Sequence, residues 1–495
     1  IQNFVLEPNS EKSIVVETFG VTGTNTVSVE LSTLPPMNFN GRMQYLIRYP
    51  HGCLEQITSA AFPQLFLNDV FEVSGLEKQA VQKNIGGAVN RLAGFQIFNG
   101  GMAYWYGQNK ANDWSTSYVG HFMLEAEKKG YVLPIGFKSK WITYQKNTAK
   151  NYRNSRSNSD LSQAYRLYVL ALAGSADVAS MNRLQETKNL SNEAKLRLAA
   201  TYALIGQKSV AKNLMNTAVL EFKSHSNNYD TYGSSARNRA MALETMVLLE
   251  EKVKAQQLAK ELAKKLNTKE YMSTQSTAYS LLAMAKFAEM VGGKGVHASL
   301  TVNGKQETIA TEKTIANRAL TIQKGSNALV LKNNEGNTLY VSLLNNGKLP
   351  VGAEKILQNN LEAKVQFKAR NGSVINVSQM SQGSDFVAEV TLTNTTADKV
   401  NDVALTQIFP SGWEIVNTRF TDFGDFAAND VTHTDLRDDR ANFYFDLDKN
   451  ETKTFRILIN ASYLGTYYLP GIQAEAMYDN DYVVRTKGNW VEVVK

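Results

Sequence analysis

Cys53 and Gln56 lie three positions apart in the sequence GCLEQ, and their side chains could together carry out acyl chemistry. Residues at i and i+3 share one face of a helical turn, with Cβ atoms about 5–6 Å apart. A thiol that attacks the neighbouring carboxamide would release ammonia and leave an internal thioester, which makes the acyl carbon of Gln56 a stored electrophile. The spacing alone is weak evidence, because many helices carry a Cys and a Gln at these positions.

The residues around this pair favour a sharp entry into a helix. Gly52 permits backbone angles that other residues resist, and Pro50 keeps the residue before it out of a helix. A helix that begins near Ile57 would direct its N-terminus at the acyl oxygen and stabilise the negative charge that develops there. Cys53 is the single cysteine, which excludes an internal disulfide. In most chains a lone cysteine is a small buried apolar residue.

The sequence pattern changes from strands to helices and back to strands. Residues 1–35 alternate in the manner of strands, and helical periodicity with glycine stops occupies about 37–292. From 296 onward short strands are separated by Asn/Gly turns, and 351–495 is predicted to be a β-sandwich. This order predicts one β domain that is interrupted by a helical domain. Helices are predicted to begin at Asp113, Glu193, Ala236 and Ser273. Asp160 is predicted to be the N-cap of a further helix.

Composition excludes several classes of function. The 495 residues are enough for about three domains. A net charge of +7 is spread along the chain without a basic stripe, so no nucleic-acid partner is predicted. No apolar run could span a bilayer, and no signal peptide is visible. The five histidines lack metal-ligand spacing, so neither a metal nor another cofactor is predicted. Because the chain opens within a strand pattern, we expect a piece of a longer protein.

The stretch YPHGCLEQITSAAFPQLFL resembles the thioester motif of the α2-macroglobulin and complement superfamily, whose core is Gly-Cys-x-Glu-Gln. The bacterial branch commonly carries Tyr-Pro-x-Gly just before this core. Three further stretches are similar to that branch, so the resemblance covers essentially the whole chain. These are GGMAYWYGQNKANDWSTSYVGHFMLEA, STQSTAYSLLAMAKF and HTDLRDDRANFYFDLDKNETKTFRILINASYLGTYYLPGIQAEAMYDND.

The resemblance implies a multidomain fold and a trapping mechanism. It implies an α/α toroid thioester domain at 37–292, inserted in a CUB-like β domain at 1–36 and 293–350, followed by a macroglobulin-type β-sandwich at 351–495. It also implies a protease inhibitor that is not an enzyme. A protease cuts an upstream bait region, the molecule collapses around it, and the thioester acylates a lysine of the protease. The implied partners are proteases and the upstream macroglobulin domains of the parent chain, and the implied location is the bacterial periplasm or cell envelope.

The resemblance assigns Cys53 and Gln56 as the reactive pair. Gly52 and Glu55 belong to the same motif and support it. Four further side chains are candidate neighbours of the thioester, namely His51, Tyr49, Tyr104 and His121. The tyrosines could shield it from water or simply pack in the core. In some complement relatives a histidine accepts the acyl group, but neither histidine here aligns with it by motif. The alternatives are helix packing for His121 and an exposed loop position for His51.

Two other functions remain open from the sequence. The same thioester could attach the protein to cell surfaces, in the manner of an opsonin or adhesin. The chain could instead be an α/α-toroid hydrolase or a transferase with Cys53 as nucleophile. An enzyme of this kind needs a base beside its nucleophile or a pair of pocket carboxylates, and the sequence shows neither pattern.

Overall fold

The backbone forms two compact units, Ile1–Gly347 and Lys348–Lys495. The structure, a computed structural model, describes residues 1–48, 52–71, 75–153, 159–222, 231–268, 272–291, 295–416 and 430–495.

The first unit contains two four-stranded sheets that join both ends of its sequence. Its strands are β1 (Gln2–Leu6), β2 (Glu11–Glu17), β3 (Thr26–Ser32), β4 (Val296–Val302), β5 (Lys305–Thr311), β6 (Ile315–Leu320), β7 (Ser326–Asn333) and β8 (Leu339–Asn346). The sheets have the orders β1-β8-β3-β6 and β2-β7-β4-β5. In the first sheet Val29 pairs with both Leu343 and Arg318, so β3 lies between two late strands. Strands from before and after the helices therefore share a sheet, as the prediction of one interrupted β domain requires.

Helices are the main regular elements of the described residues between β3 and β4. They are α1 (Phe39–Arg48), α2 (Leu54–Ala61), α3 (Leu67–Val70), α4 (Gly75–Ala93), α5 (Asp113–Lys128), α6 (Phe137–Lys150), α7 (Asp160–Leu172), α8 (Val178–Gln185), α9 (Asn192–Leu204), α10 (Lys208–Asn216), α11 (Ser235–Leu248), α12 (Lys252–Leu266) and α13 (Thr274–Val291). A 3₁₀ turn at Phe62–Phe66 connects α2 to α3. This pattern agrees with the helical periodicity that the sequence shows from about 37 to 292.

Some of these helices pack into a closed ring. Each of α2, α5, α7, α9, α11 and α13 contacts the next in this order, and α13 returns to α2. The ring helix α9 is buried almost continuously from Ala194 to Tyr202, on all its faces. By contrast α12, which packs on α11 and α13, buries only the stripe that runs from Ala255 to Leu266. A helix buried on every side lies inside a packed assembly, whereas an amphipathic one covers it.

The starts of α9, α11 and α13 each differ from the prediction by one residue, and those of α7 and α2 need a fuller correction. The N-cap of α7 is Ser159, whose hydroxyl accepts a hydrogen bond from the Ser162 N–H at 3.2 Å. Asp160 is instead the first helical residue, and its carboxylate accepts from the backbone N–H and the hydroxyl of Ser191, the N-cap of α9. A carboxylate in the first turn also complements the helix dipole. The second correction concerns α2, which begins at Leu54 and not near Ile57.

In its described residues, the second unit is built from strands. They are β9 (Leu357–Asn359), β10 (Leu361–Ala369), β11 (Gln379–Ser381), β12 (Asp385–Asn394), β13 (Val400–Ile408), β14 (Trp413–Ile415), β15 (His433–Leu436), β16 (Arg440–Leu447), β17 (Thr452–Ala461), β18 (Gly465–Leu469), β19 (Gln473–Ala476), β20 (Asp479–Arg485) and β21 (Asn489–Val494). Their sheet orders are β10-β12-β17-β14, β11-β21-β18 and β15-β16-β13-β19-β20-β9. Phe386, Trp413 and Phe455 belong to one apolar core. The predicted β character of this region is confirmed.

Candidate functional site

Cys53 and Gln56 face each other across the first turn of α2. Cys53 is the N-cap, with an extended backbone, and Gln56 is the third helical residue. The side-chain oxygen of Gln56 accepts a hydrogen bond from the Cys53 N–H at 3.4 Å. This is one half of a reciprocal capping arrangement, in which cap and third residue each satisfy an amide of the other. The local hydrogen bonding of the helix start therefore places the thiol and the carboxamide side by side.

The pair is shielded from solvent. Cys53 is 0% exposed and Gln56 is 4% exposed, and Cys53 forms no disulfide. Because α2 begins at Leu54, the pair lies at the positive end of the helix and not ahead of it. The positive end of a helix dipole stabilises negative charge that develops nearby. The site thus combines a buried thiol, a neighbouring carboxamide and the positive end of a helix.

Glu55 fastens the helix that carries the pair. Its buried carboxylate accepts hydrogen bonds from the hydroxyl of Ser59, one turn along α2, and from that of Thr274 on α13 at 2.9 and 3.1 Å. The Ser59 hydroxyl also lies 3.1 Å from that of Tyr118 on α5. Burial, and then the negative charge of Glu55, raise the pKa of Tyr118, so this phenol stays protonated. The glutamate of the motif therefore connects α2 to both neighbouring ring helices.

Tyr104 is the predicted neighbour that the structure places at the pair. Its hydroxyl lies 3.5 Å from Cys53 Sγ and accepts from the thiol. Its carbonyl accepts from the Leu54 N–H at 3.0 Å, which fixes the backbone of this loop to the start of α2. A depression of 500 Å³ opens beside Tyr104 and is lined by 107–112. Two other predicted neighbours, Tyr49 and His51, lie outside the described residues.

Tyr232 supports Tyr104 and was missed by the sequence analysis. The two rings stack with centroids 5.1 Å apart and planes 25° from parallel. The Asn112 amide donates to the Tyr232 hydroxyl, and Tyr232 adopts a left-handed φ of 48°. Such a φ is uncommon for a residue other than glycine and marks a position that its surroundings hold in place. No local motif predicts the role of Tyr232, because its ring contacts Tyr104 only in the folded chain.

His121 lies in a buried cluster of charged groups, where it contacts its own helix α5 and other helices of the ring. Its Nδ1 lies 3.1 Å from the hydroxyl of Tyr165, and its Nε2 lies 3.7 Å from Glu125 and 3.6 Å from Glu244. Burial lowers the pKa of His121 from its ordinary 6.5, although the carboxylates oppose this shift. These surroundings favour the helix-packing alternative over acyl transfer.

Glu244 is the centre of this cluster. It accepts hydrogen bonds from Arg197 at 2.8 Å, from Tyr279 at 2.8 Å and from Lys286 at 2.9 Å. Burial alone would raise the pKa of Glu244, but Lys286 and Arg197 outweigh burial and hold this pKa well below its usual value. The cluster draws its charges from α5, α9, α11 and α13. No sequence pattern indicates this cluster, because its members are far apart along the chain.

We expect the free energy of unfolding to fall as the pH drops, because His121 and Glu244 bind protons less readily in the folded chain than in the unfolded chain. Below 6.5 the unfolded chain protonates His121 before the folded chain does, since burial lowers the pKa of the folded histidine. Below pH 4.5 the unfolded chain likewise protonates Glu244 before the folded chain does. Glu244 therefore contributes its full stabilisation above pH 4.5, and this stabilisation is lost as the pH falls toward the lowered pKa that Glu244 has in the folded chain. Urea denaturation between pH 7 and pH 3 measures the effect.

The matched variants for this prediction are Glu244→Gln and Glu261→Gln. The first removes the carboxylate that pairs with buried Arg197 and one of the two that pair with Lys286. It should cost about 3 kcal/mol, with a flatter pH dependence below pH 4.5. Glu261 pairs with Arg239 at the surface, where its side chain is 44% exposed. Its replacement should cost only about 0–1 kcal/mol. Equal losses in both variants would show that the cluster contributes no more than a surface pair.

Membrane-spanning helices and metal-binding side-chain clusters are absent from the described part of the chain. Among those residues no helix is long and apolar enough to cross a membrane. Within the same ranges no group of three or more His, Cys, Asp or Glu side chains could hold a metal ion.

The fold and the site can be compared with known proteins. Residues 357–481 match the family model described as the bacterial α2-macroglobulin MG10 domain. The α2-macroglobulin of Pasteurella multocida is 25% identical over 91% of this chain and 25% of its own length. That of Escherichia coli K12 is 23% identical over 90% of this chain and 28% of its own length.

Solved structures show the same fold. The crystal structure of native E. coli α2-macroglobulin from domain MG7 to the C-terminus matches 100% of this chain and 81% of that chain, with a TM-score of 0.83 and 20% identity. The Salmonella α2-macroglobulin reacted with methylamine matches 100% of this chain and 33% of that chain, with a TM-score of 0.83 and 20% identity.

These matches define the class as a mixed helical and β protein with the architecture of the α2-macroglobulin C-terminal region. Along 90% or more of its length the chain is similar to bacterial α2-macroglobulins. It spans about a quarter of the length of the curated relatives that it matches.

Proposed function

We propose that this chain is the thioester-bearing part of a broad-spectrum protease inhibitor that entraps and acylates attacking proteases. The observation that carries the proposal is the Cys53–Gln56 pair, buried together at the N-terminus of α2 with the Tyr104 hydroxyl at the sulfur. The family supports it, because its curated members are named α2-macroglobulins.

The architecture we propose for this function has three domains. The closed ring of helices supports an α/α toroid thioester domain at 37–292. The shared sheets support a CUB-like β domain formed by 1–36 and 293–350. The match to the MG10 model falls inside the third domain, a macroglobulin-type sandwich at 351–495.

The proposed chemistry has two steps. In the first, Cys53 Sγ attacks the side-chain carbonyl carbon of Gln56, the C–N bond breaks, and ammonia leaves as the thioester forms. In the second, the ε-amine of a protease lysine attacks the same carbon, the C–S bond breaks, and a stable amide forms. The proton of the amine returns to the sulfur as a thiol. Each molecule reacts once, so the protein is an inhibitor and not a catalyst.

The parent chain supplies the trigger for this reaction. The proposed partners are proteases, which cut a bait region upstream, and the upstream macroglobulin domains, which collapse around the protease. The proposed location is the periplasm or cell envelope, where a defence against foreign proteases would operate. The Salmonella relative was crystallised after reaction with methylamine, and a small amine is the type of nucleophile that an acyl electrophile takes up.

Covalent capture by the complete protein tests this function. We expect adducts that survive denaturing electrophoresis when an active protease with free lysines is added. The matched control is the same protease after reductive methylation of its lysines, which keeps its activity and should form far fewer adducts. Equal adducts with both proteases, or none with either, would contradict the proposal.

Attachment to cell surfaces is the second function that the same chemistry allows. It would show as covalent labelling of cell-surface hydroxyls or amines without any protease present. A hydrolase is less compatible with the geometry, because the contacts of the ring histidine His121 lie within the buried charge cluster. Ester substrates would distinguish it, since an enzyme turns over many equivalents and a thioester only one.

A further inference from the structure

We propose that Tyr104 is a catalytic residue of acyl transfer, because its hydroxyl is placed to donate a hydrogen bond to the sulfur of Cys53 as the thioester opens. This inference rests on the proposed function. It adds the group that stabilises the departing sulfur.

The contact between Tyr104 and Cys53 is held at two points. The phenol oxygen lies 3.5 Å from Sγ, within the range of a hydrogen bond to sulfur. The Tyr104 carbonyl accepts from the Leu54 N–H at 3.0 Å, so the loop cannot move away from α2 without breaking a backbone hydrogen bond. Tyr104 is 9% exposed and Cys53 is fully buried. A hydrogen bond to an ionised group in such a site is stronger than one in water.

The chemistry requires a donor at this position. When an amine attacks the acyl carbon, the C–S bond breaks and its electron pair goes to sulfur as a thiolate. In the resting thiol, Cys53 donates to Tyr104; after bond cleavage the direction reverses, and the phenol O–H donates to the sulfur. A phenol of pKa about 10 is a weaker acid than a thiol of pKa about 8.5, so it stabilises the thiolate without giving up its proton. The proton released by the attacking amine finally neutralises the sulfur.

A second layer of residues positions Tyr104. Tyr232 stacks on its ring, and Asn112 donates to the Tyr232 hydroxyl. The preceding Thr231 is held through its carbonyl and its hydroxyl by the buried guanidinium of Arg237, at 2.9 and 2.8 Å. These contacts fix the segment at 231–232, which explains how Tyr232 keeps a left-handed backbone. Tyr232 and Arg237 are therefore positioning residues that act through Tyr104.

The test compares Tyr104→Phe with Tyr106→Phe in the complete protein. Tyr106 belongs to the same loop, but it is 74% exposed. Both variants keep an aromatic ring, so shielding from water is preserved. Loss of a hydrogen bond to a charged group should slow the reaction of Tyr104→Phe with methylamine about ten-fold or more, and Tyr106→Phe should react at the wild-type rate.

A second measurement separates this role from simple packing. After methylamine has opened the thioester, the released thiol is titrated by its rate of alkylation against pH. Tyr104→Phe should raise the pKa of this thiol by about one unit, because the thiolate loses its donor. Tyr232→Ala should produce the same two effects, and Tyr232→Phe, which keeps the stacked ring, should restore most of the wild-type behaviour.

The outcomes distinguish this inference from the function on which it rests. If wild-type protein reacts with methylamine but Tyr104→Phe has an unchanged rate and an unchanged thiol pKa, the role of Tyr104 is overturned and the thioester stands. If wild-type protein takes up no methylamine, the proposed function fails and this inference fails with it.

Discussion

Replacement of Cys53 by serine is expected to abolish covalent capture while the fold remains stable. Serine lacks the nucleophilicity of a thiol and cannot form the thioester with Gln56 at the start of α2. Serine is also a better N-cap residue than cysteine, because its hydroxyl accepts well from the first-turn amides. The unfolding midpoint should therefore stay level or rise slightly. Denaturing electrophoresis with an active protease measures capture, and thermal unfolding measures stability.

The matched control for this variant is Gln56→Glu, which changes the other member of the pair. A glutamate keeps the length and the oxygen of the side chain, but it has no ammonia to release. It should lose capture as completely as Cys53→Ser, although the cysteine remains. Undiminished adducts in either variant would place the reactive bond elsewhere in the protein.

Mild heating of the complete protein is expected to split the chain between Glu55 and Gln56. In the thioester the side-chain carbonyl of Gln56 is a strong electrophile, and the backbone nitrogen of the same residue can close a five-membered lactam on it. Two groups on one residue have a large effective concentration. The Cys53 thiol departs, and the acylated nitrogen weakens the bond to Glu55 toward hydrolysis. Sequencing by mass spectrometry should find a new N-terminus blocked as pyroglutamate.

Two controls show whether this cleavage reports on the thioester. Treatment with methylamine before heating should suppress it, because the acyl carbon has already reacted. A Cys53→Ala variant should remain whole under the same heating. The same two fragments in that variant would identify ordinary proteolysis and remove this support for the thioester.

The proximity of Cys53 and Gln56 was predictable because its geometry is local. Cys53 and Gln56 share one helical turn, so their spacing is visible in the sequence. The start of α2 was placed three residues too late, because cysteine is not among the residues that usually cap helices. Tyr104 could be named as a candidate neighbour, but its contact with Cys53 depends on a loop that folds back onto α2.

The residues that position Tyr104 could not be predicted from the sequence. Tyr232 and Arg237 contribute through tertiary contacts and belong to no recognised pattern. His121 shows a different limit, because the sequence left both a contact with the thioester and helix packing open for it. Its partners Glu125 and Glu244 come from two helices, and only their convergence shows the buried cluster. By contrast, the pairing of early and late strands followed from the change of sequence pattern alone.

The intact mass of the freshly purified complete protein, before and after methylamine, tests the thioester most directly. The fresh protein should be lighter than its sequence by one ammonia, and Cys53 should resist alkylation in the native state. After treatment the mass should rise by one methylamine, and the thiol should become reactive. A fresh protein at its full sequence mass, with no change on methylamine treatment, would contradict the thioester at Cys53 and Gln56.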